Sequence, residues 1–187
     1  MTYELCTNTI QDLAKAYPFI RVKELTQTAF GRSVWAVEIG EGERKVLYSA
    51  AHHANEWITT LVLLKFAEEL AEAMESGSTV FGTDALALAE KVTIYMVPMV
   101  DPDGVDLVVG AIDREDISYD LAQRISEDFP SIPFPLGWKA NLLGTDLNLN
   151  YPAGWLQARE NKFAQGFTRP APRDFVGKSP LDQFETR

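Results

Sequence analysis

The chain has 187 residues, of which 46% are hydrophobic and 11% aromatic, and this is enough apolar material for one domain with a buried core. Seventeen basic against 27 acidic residues give a formal charge of −10, which argues against nucleic-acid binding because that activity needs clustered lysine and arginine. The single cysteine excludes an internal disulfide framework, and the longest apolar runs, such as residues 92–100, are far too short to span a bilayer.

Helical and strand patterns alternate along the first two thirds of the chain. Apolar residues at helical spacing, with capping residues and breakers, predict four helices, at residues 7–17, 57–74, 84–90 and 115–128. Runs rich in β-branched and aromatic residues predict four strands, at residues 21–26, 33–39, 45–51 and 92–100. A strand, a long helix and a further strand imply a crossover connection with parallel pairing. We therefore predict an α/β fold with a mixed, largely parallel sheet flanked by helices.

The C-terminal part of the chain has a different character. Seven of the ten prolines lie there, at positions 130, 133, 135, 152, 170, 172 and 180. Roughly fifty loop-like residues at one end are unusual for a finished domain. Loops of this kind often carry functional sites, and they also suit a domain that is incomplete.

A pair of metal-binding side chains is suggested at the turn between the third predicted strand and the helix that follows it. His53 and Glu56 place an imidazole and a carboxylate three residues apart, a mixture of donors that zinc favours. Taken alone, this spacing is a weak signal. It is strengthened because the only two histidines, His52 and His53, lie at the C-terminal end of a predicted strand, where open α/β sheets bind ligands. His52 should point away from His53 on an extended backbone, toward packing or solvent.

Several motifs occur in an order that resembles the carboxypeptidase A-like zinc peptidases. HANEWIT at 53–59 resembles the H-x-x-E-W-I-T signature of that family, and DPDG at 101–104 resembles its N-P-D-G turn. GTDLNLNY at 144–151 resembles the G-x-D-x-N-R-N-[FYW] segment, and WKAN at 138–141 resembles W-R-K-x. Within the family, these segments are similar to the bacterial γ-D-glutamyl-diamino-acid peptidases that trim cell-wall peptides. The resemblance implies the zinc carboxypeptidase fold, a Zn²⁺ cofactor and hydrolysis of peptide bonds.

Three further residues are candidates for the site: the resemblance implies the roles of Asp146 and Lys139, and the amide of Asn148 has the donor and acceptor for the third role. Asp146 would accept a hydrogen bond from the far ring nitrogen of His53, which fixes the tautomer of a metal ligand; the alternative is an Asx-turn carboxylate after Gly144. Lys139 would take the catalytic place of an arginine that polarises the scissile carbonyl, and otherwise it is a surface lysine. Asn148 would bind a substrate carboxylate or peptide group, unless its amide bonds only its own backbone.

Leu149 is the main departure from the family pattern. The resembled carboxypeptidases have an arginine here, whose fork holds the C-terminal carboxylate of the substrate. A leucine cannot do this and can only fill apolar space, so recognition of ordinary C-termini is in doubt at this substrate-binding position. We interpret the turn at 101–104 as structural only.

The sequence supplies only part of a catalytic zinc site. Such a site needs three protein ligands and a general base, and the resemblance supplies only His53 and Glu56. We therefore interpret residues 1–187 as a single, truncated metallopeptidase domain whose C-terminal strands are missing, and we predict that the chain alone is inactive. Two functions stay open. One is a zinc metallopeptidase that cleaves γ-D-glutamyl-diamino-acid bonds once complete, and the other is a non-catalytic fragment that acts as a peptide-binding module.

The expected partner is a peptide or muropeptide substrate, with no nucleic acid and no membrane span. A homodimer that lends residues across its interface is left open. Localisation is left open too. The amino terminus shows no basic segment followed by an apolar one, so the chain as given suits the cytoplasm, whereas additional upstream sequence would allow association with the cell wall.

Overall fold

The computed structural model describes residues 1–187. The helices are α1 (Tyr3–Ala16), α2 (Ile58–Ser76), α3 (Ala85–Lys91), α4 (Pro102–Val108), α5 (Ile117–Glu127) and α6 (Trp155–Ala164). The strands are β1 (Arg21–Gln27), β2 (Ser33–Ile39), β3 (Arg44–Ser49), β4 (Thr79–Val80), β5 (Thr83–Asp84) and β6 (Val92–Val97). Short 3₁₀ turns lie at Ala54–Glu56, Leu147–Leu149 and Phe184–Thr186. No helix combines the length and the apolar character that crossing a membrane requires.

The main sheet has four strands in the order β1-β2-β6-β3, and β4 pairs with β5 in a separate hairpin. The predicted mixed sheet with flanking helices is confirmed, but its predicted predominance of parallel pairing is wrong within this chain. The β3–β6 pair is parallel, whereas β1–β2 and β2–β6 are antiparallel. The β1–β2 pairing has a local reason. A short turn joins β1 to β2, with Gly31 at φ +82°, and such a turn permits only antiparallel pairing.

Helices α1, α2 and α3 cover one face of the sheet and form the main core with it. Leu63, Leu64, Ala67, Leu70 and Ala71 recur along one side of α2 and are buried, as the helical period requires. The helix ends at a C-terminal glycine in the left-handed conformation. Helix α1 begins four residues before the predicted position, because the Thr2 hydroxyl accepts a hydrogen bond from the Leu5 N–H and caps it.

The sheet ends at β3, which pairs with β6 alone. Two large side chains of this edge strand remain accessible, Leu47 at 66% and Tyr48 at 47% exposure. Ile58 and Val62 of α2 and Phe81 after β4 are also exposed, and together with Tyr48, but not Leu47, they help to line an apolar groove of about 530 Å³. An unpaired apolar edge of this kind is a template for pairing with another strand.

A second core cluster joins α4 to the two loops that carry the candidate site. Trp138, Ala140 and Leu107 are fully buried in it, together with Ala54 of the first 3₁₀ turn. The sequence predicted only a turn at 101–104, but the chain continues as α4 because Asp101 caps it and Pro102 occupies its first position. Helix α6 was likewise not predicted, since prolines dominate the surrounding sequence.

The C-terminal loops are held together by buried asparagines rather than by secondary structure. The Asn150 amide nitrogen lies 2.9 Å from the Val176 carbonyl and 2.8 Å from Asp182 Oδ1, while its oxygen accepts from the Thr186 hydroxyl at 2.7 Å. Asn141 donates to Gln183 Oε1 at 2.9 Å. Buried amides that use both ends in this way give irregular chain a defined shape.

Candidate metal and substrate site

The predicted strand-to-helix turn is present. The chain leaves β3, reverses at Ala51, which has φ +46°, and then enters the turn Ala54–Glu56 before α2. The Thr59 hydroxyl closes this loop, accepting from the Ala51 N–H at 2.9 Å and donating to the Glu56 carbonyl at 2.7 Å. His53 itself is extended, with φ −117° and ψ 138°, so its ring projects from the turn rather than along the helix.

His53 contacts a carboxylate through each of its ring nitrogens. Its Nδ1 lies 2.9 Å from Glu56 Oε1, and its Nε2 lies 3.1 Å from Asp146 Oδ1. The hydrogen bond to Asp146 raises the pKa of His53 by more than partial burial lowers it. If Nε2 carries the proton and donates it to Asp146, the Nδ1 lone pair faces the Glu56 oxygen. A nitrogen donor and an anionic oxygen donor then point toward the same position, and both are donor types that bind zinc.

Asp146 is positioned by residues far away in the sequence. Its second oxygen, Oδ2, accepts from the Asp174 N–H at 3.2 Å, and its own N–H donates to the Phe175 carbonyl at 2.8 Å. Asp174 has φ +68°, a conformation that costs free energy for a residue with a side chain. The Asp146 carboxylate therefore contacts His53 and the 174–175 backbone, and neither of its oxygens makes the alternative Asx-turn.

Lys139 lies at the edge of the same site. Its Nζ is 4.0 Å from Glu56 Oε1, and the side chain is 20% exposed. Its backbone carbonyl accepts from the Ala54 N–H at 3.1 Å, so the WKAN segment and the His53 loop are directly bonded. Gly104 of α4 fits between them, where a Cβ atom would lie 2.8 Å from both Ala54 Cβ and the Ala140 oxygen. The 101–104 turn thus packs the two loops together.

Two predicted substrate-binding residues lie beside this cluster without joining it. Asn148 and Leu149 are in the 3₁₀ turn that follows Asp146; Asn148 is exposed and Leu149 is half-buried. The side chain of Asn148 makes no hydrogen bond within the chain. Their roles stay predictions.

His52 faces a different neighbour from His53, as predicted. Its Nε2 lies 3.1 Å from the Tyr151 hydroxyl, and the two rings meet edge to face with centroids 5.9 Å apart. Burial is the main cause that lowers the pKa of His52. The structure contains no group of three or more His, Cys, Asp and Glu side chains that could hold a metal ion.

Asp174 contacts the site through its bond to Asp146, and neither this residue nor Arg173 was predicted from the sequence. Asp174 Oδ2 accepts from Arg173 Nε at 2.8 Å, and its Oδ1 pairs with Lys162 Nζ at 2.6 Å. Burial raises the pKa of Asp174, but the hydrogen bonds from Lys162 and Arg173 lower it further than that, so the net shift is downward. These residues lie in proline-rich chain without any periodic pattern, and no local signal marked them.

Comparison with known proteins identifies the family of this chain. The sequence model of the family described as zinc carboxypeptidase matches residues 6–187. The chain belongs to the zinc carboxypeptidase family. It is 36% identical over 186 residues to gamma-D-glutamyl-L-diamino acid endopeptidase 1 of Lysinibacillus sphaericus, covering 98% of this chain and 44% of that protein. It is also 36% identical over 180 residues to the uncharacterized Bacillus subtilis protein YqgT, covering 95% of this chain and 46% of that protein.

The chain spans less than half the length of these two relatives. Solved structures confirm the fold. Carboxypeptidase A from Helicoverpa armigera aligns over 100% of this chain and 40% of its own, with a TM-score of 0.69 and 20% identity. Bovine thrombin-activatable fibrinolysis inhibitor aligns over 100% of this chain and 53% of its own, with a TM-score of 0.68 and 15% identity.

Proposed function

We propose that this chain carries the first two zinc ligands, His53 and Glu56, of a peptidase that cleaves γ-D-glutamyl-diamino-acid bonds in cell-wall peptides. The observation that carries the proposal is the double contact of His53, with Nδ1 facing Glu56 at 2.9 Å and Nε2 bonded to Asp146 at 3.1 Å. A carboxylate behind a ligating histidine is the arrangement that orients the ring toward a metal. The name of the Lysinibacillus sphaericus relative supports the substrate class.

Each residue of the cluster has a distinct task in this proposal. His53 and Glu56 would hold the zinc, and Asp146 keeps the His53 ring in one tautomer and orientation. A bound zinc ion polarises a peptide carbonyl and lowers the pKa of a bound water molecule. Lys139 brings a positive charge close to Glu56, where it can stabilise negative charge on the substrate.

The substrate class follows from the basic side chains of the site: Lys139 is present, but the arginine expected at position 149 is replaced by leucine. Leu149 cannot hold a C-terminal carboxylate, so an ordinary C-terminus gains no contact from position 149. A γ-linked D-glutamyl residue carries its free α-carboxylate beside the scissile bond. Lys139 is well placed for such a carboxylate, because it lies near the metal ligands and its side chain is only partly accessible.

The second candidate function is peptide binding without catalysis. It is favoured by the donor set, because two ligands bind zinc more weakly than three and the structure contains no group of three or more His, Cys, Asp and Glu side chains that could hold a metal ion. The two candidates differ in whether the full-length protein that contains this chain hydrolyses peptides. In both, His53 and Glu56 are the zinc-binding residues of this chain.

Zinc titration of the purified chain tests the ligand assignment. We expect weak zinc binding that is lost in His53→Ala and strongly reduced in Glu56→Gln, measured by isothermal titration calorimetry. His52→Ala is the matched control and should bind zinc like the wild type, because His52 contacts Tyr151 instead. Loss of zinc binding in His52→Ala, or its retention in His53→Ala, would contradict the assignment.

A further inference from the structure

Arg173 uses only one end of its guanidinium in contacts within the chain. Its Nε–H donates to Asp174 Oδ2 at 2.8 Å, but its two terminal nitrogens make no hydrogen bond within the chain. The side chain is 43% exposed. For comparison, Arg32 uses Nη1 and Nε in ion pairs with Asp103 and Asp106. The Arg173 guanidinium is thus held at one end by Asp174 while its terminal groups remain available.

The backbone around Arg173 contacts both sides of the metal and substrate site. On one side, the Pro172 carbonyl accepts from the Lys139 N–H at 2.8 Å. On the other, the Asp174 N–H donates at 3.2 Å to Asp146, the carboxylate that bonds His53. Arg173 therefore lies between the two residues that connect its loop to Lys139 and to the His53–Asp146 pair.

The local charge also suits an anionic ligand. Asp174 is a single carboxylate shared by Arg173 and Lys162, so this group of three carries a net positive charge. It stands out in a chain whose formal charge is −10. An ion pair with Asp174 restricts the guanidinium without using the two terminal N–H₂ groups, which are the ones that bind a carboxylate bidentately.

We propose that Arg173 is a substrate-binding residue that receives a carboxylate of the diamino acid. It would supply the planar fork that Leu149 cannot supply, but from a different loop, while Lys139 faces the α-carboxylate of the D-glutamyl residue. This inference rests on the proposed function, because it assumes that a γ-D-glutamyl peptide occupies the site. It adds a specificity determinant and leaves the zinc ligands unchanged.

Binding of two matched peptides to the zinc-loaded chain tests the inference. The probes are γ-D-glutamyl-L-lysine and its C-terminal amide, which differ only in the carboxylate assigned to Arg173. We expect the wild type to bind the free acid about tenfold or more tightly than the amide, because a charge-assisted hydrogen bond is lost with the amide. Arg173→Gln should abolish this preference, and Arg173→Lys should keep only part of it, since lysine offers a point charge.

The outcomes separate the inference from the proposed function. Arg169→Gln removes a charge from the same loop, where Arg169 pairs with Asp128, and should leave the preference unchanged. Unchanged zinc affinity in each variant verifies an intact site. If Arg173→Gln and Arg173→Lys both keep the full preference for the acid, the role of Arg173 is refuted and the proposed function stands. If the wild type binds neither peptide, the proposed substrate class and the role of Arg173 both fail.

Discussion

Asp101 provides a sharp test of the electrostatics behind the candidate site. Its side chain is fully buried, Oδ1 accepts from the Gly104 N–H at 3.0 Å, and Oδ2 has no hydrogen-bond partner. Burial, together with the nearby Glu185 carboxylate, raises the pKa of Asp101 well above its ordinary value. We predict that Asp101→Asn stabilises the chain at pH 7, because an amide keeps the cap through its oxygen and carries no charge to desolvate.

The magnitude follows from the desolvated charge, because Asn would place an equally unpartnered amide nitrogen where Oδ2 now lies. An unsatisfied buried group costs more when it is charged than when it is neutral, so removing the charge should raise the free energy of unfolding by about 1–3 kcal/mol. For a chain of this size, each kcal/mol corresponds to about 2–4 °C in Tm. Thermal unfolding followed by circular dichroism measures the difference directly.

The pH dependence gives an independent check on Asp101. Because its folded-state pKa is raised, the folded chain binds more protons than the unfolded chain above the ordinary Asp pKa, and stability falls as pH rises through that range. The advantage of Asp101→Asn should therefore shrink toward pH 4 and grow toward pH 7.

Asp182→Asn is the matched control for Asp101→Asn. Asp182 accepts from the Lys178 N–H and from Asn150, and although burial raises its pKa, these bonds lower it overall. The stability that the Asp182 carboxylate contributes is present above its unfolded-state pKa and is lost as pH falls. Asp182→Asn should therefore destabilise the folded chain at pH 7. A lower Tm for Asp101→Asn at pH 7, or a gain that does not depend on pH, would refute the account of Asp101.

Four further predictions concern activity, packing and association. The purified chain should show no zinc-dependent peptide hydrolysis; activity that His53→Ala abolishes would reveal a ligand supplied from elsewhere, as in a homodimer. In a longer protein that contains this chain and hydrolyses peptides, kcat/KM should favour muropeptides over release of an ordinary C-terminal residue, and Leu149→Arg should shift that ratio toward ordinary C-termini. Gly104→Ala should destabilise by about 1–3 kcal/mol and weaken zinc binding, because its Cβ would lie 2.8 Å from Ala54 Cβ. Leu47→Lys should reduce concentration-dependent association in sedimentation velocity, since this residue projects from the unpaired β3 edge; identical sedimentation of both proteins would exclude β3 as the cause.

Local patterns determined the elements that this sequence could predict. Strand β2 has the predicted limits, 33–39, because its β-branched and aromatic residues stand between two turns. Helix α2 follows from leucines and alanines at helical spacing and ends at the predicted Ser-Gly-Ser stop. The turn that presents His53 and Glu56 is equally local, since it needs only a strand followed by a helix start. In each case the information lies within a few residues.

Long-range packing decided the order of the strands in the sheet and the contacts between the loops of the site. The antiparallel pairing of β2 with β6 depends on which strands meet in space, and no period in the sequence encodes that choice. The approach of Asp146 to His53, 93 residues away, was implied by a motif, but only the folded chain brings them to 3.1 Å. The loop that carries Arg173 lies beside the site because Pro172 and Asp174 bond to Lys139 and Asp146, contacts between loops without any periodicity. Irregular segments take their shape from such hydrogen bonds, which exist only after the surrounding chain has folded.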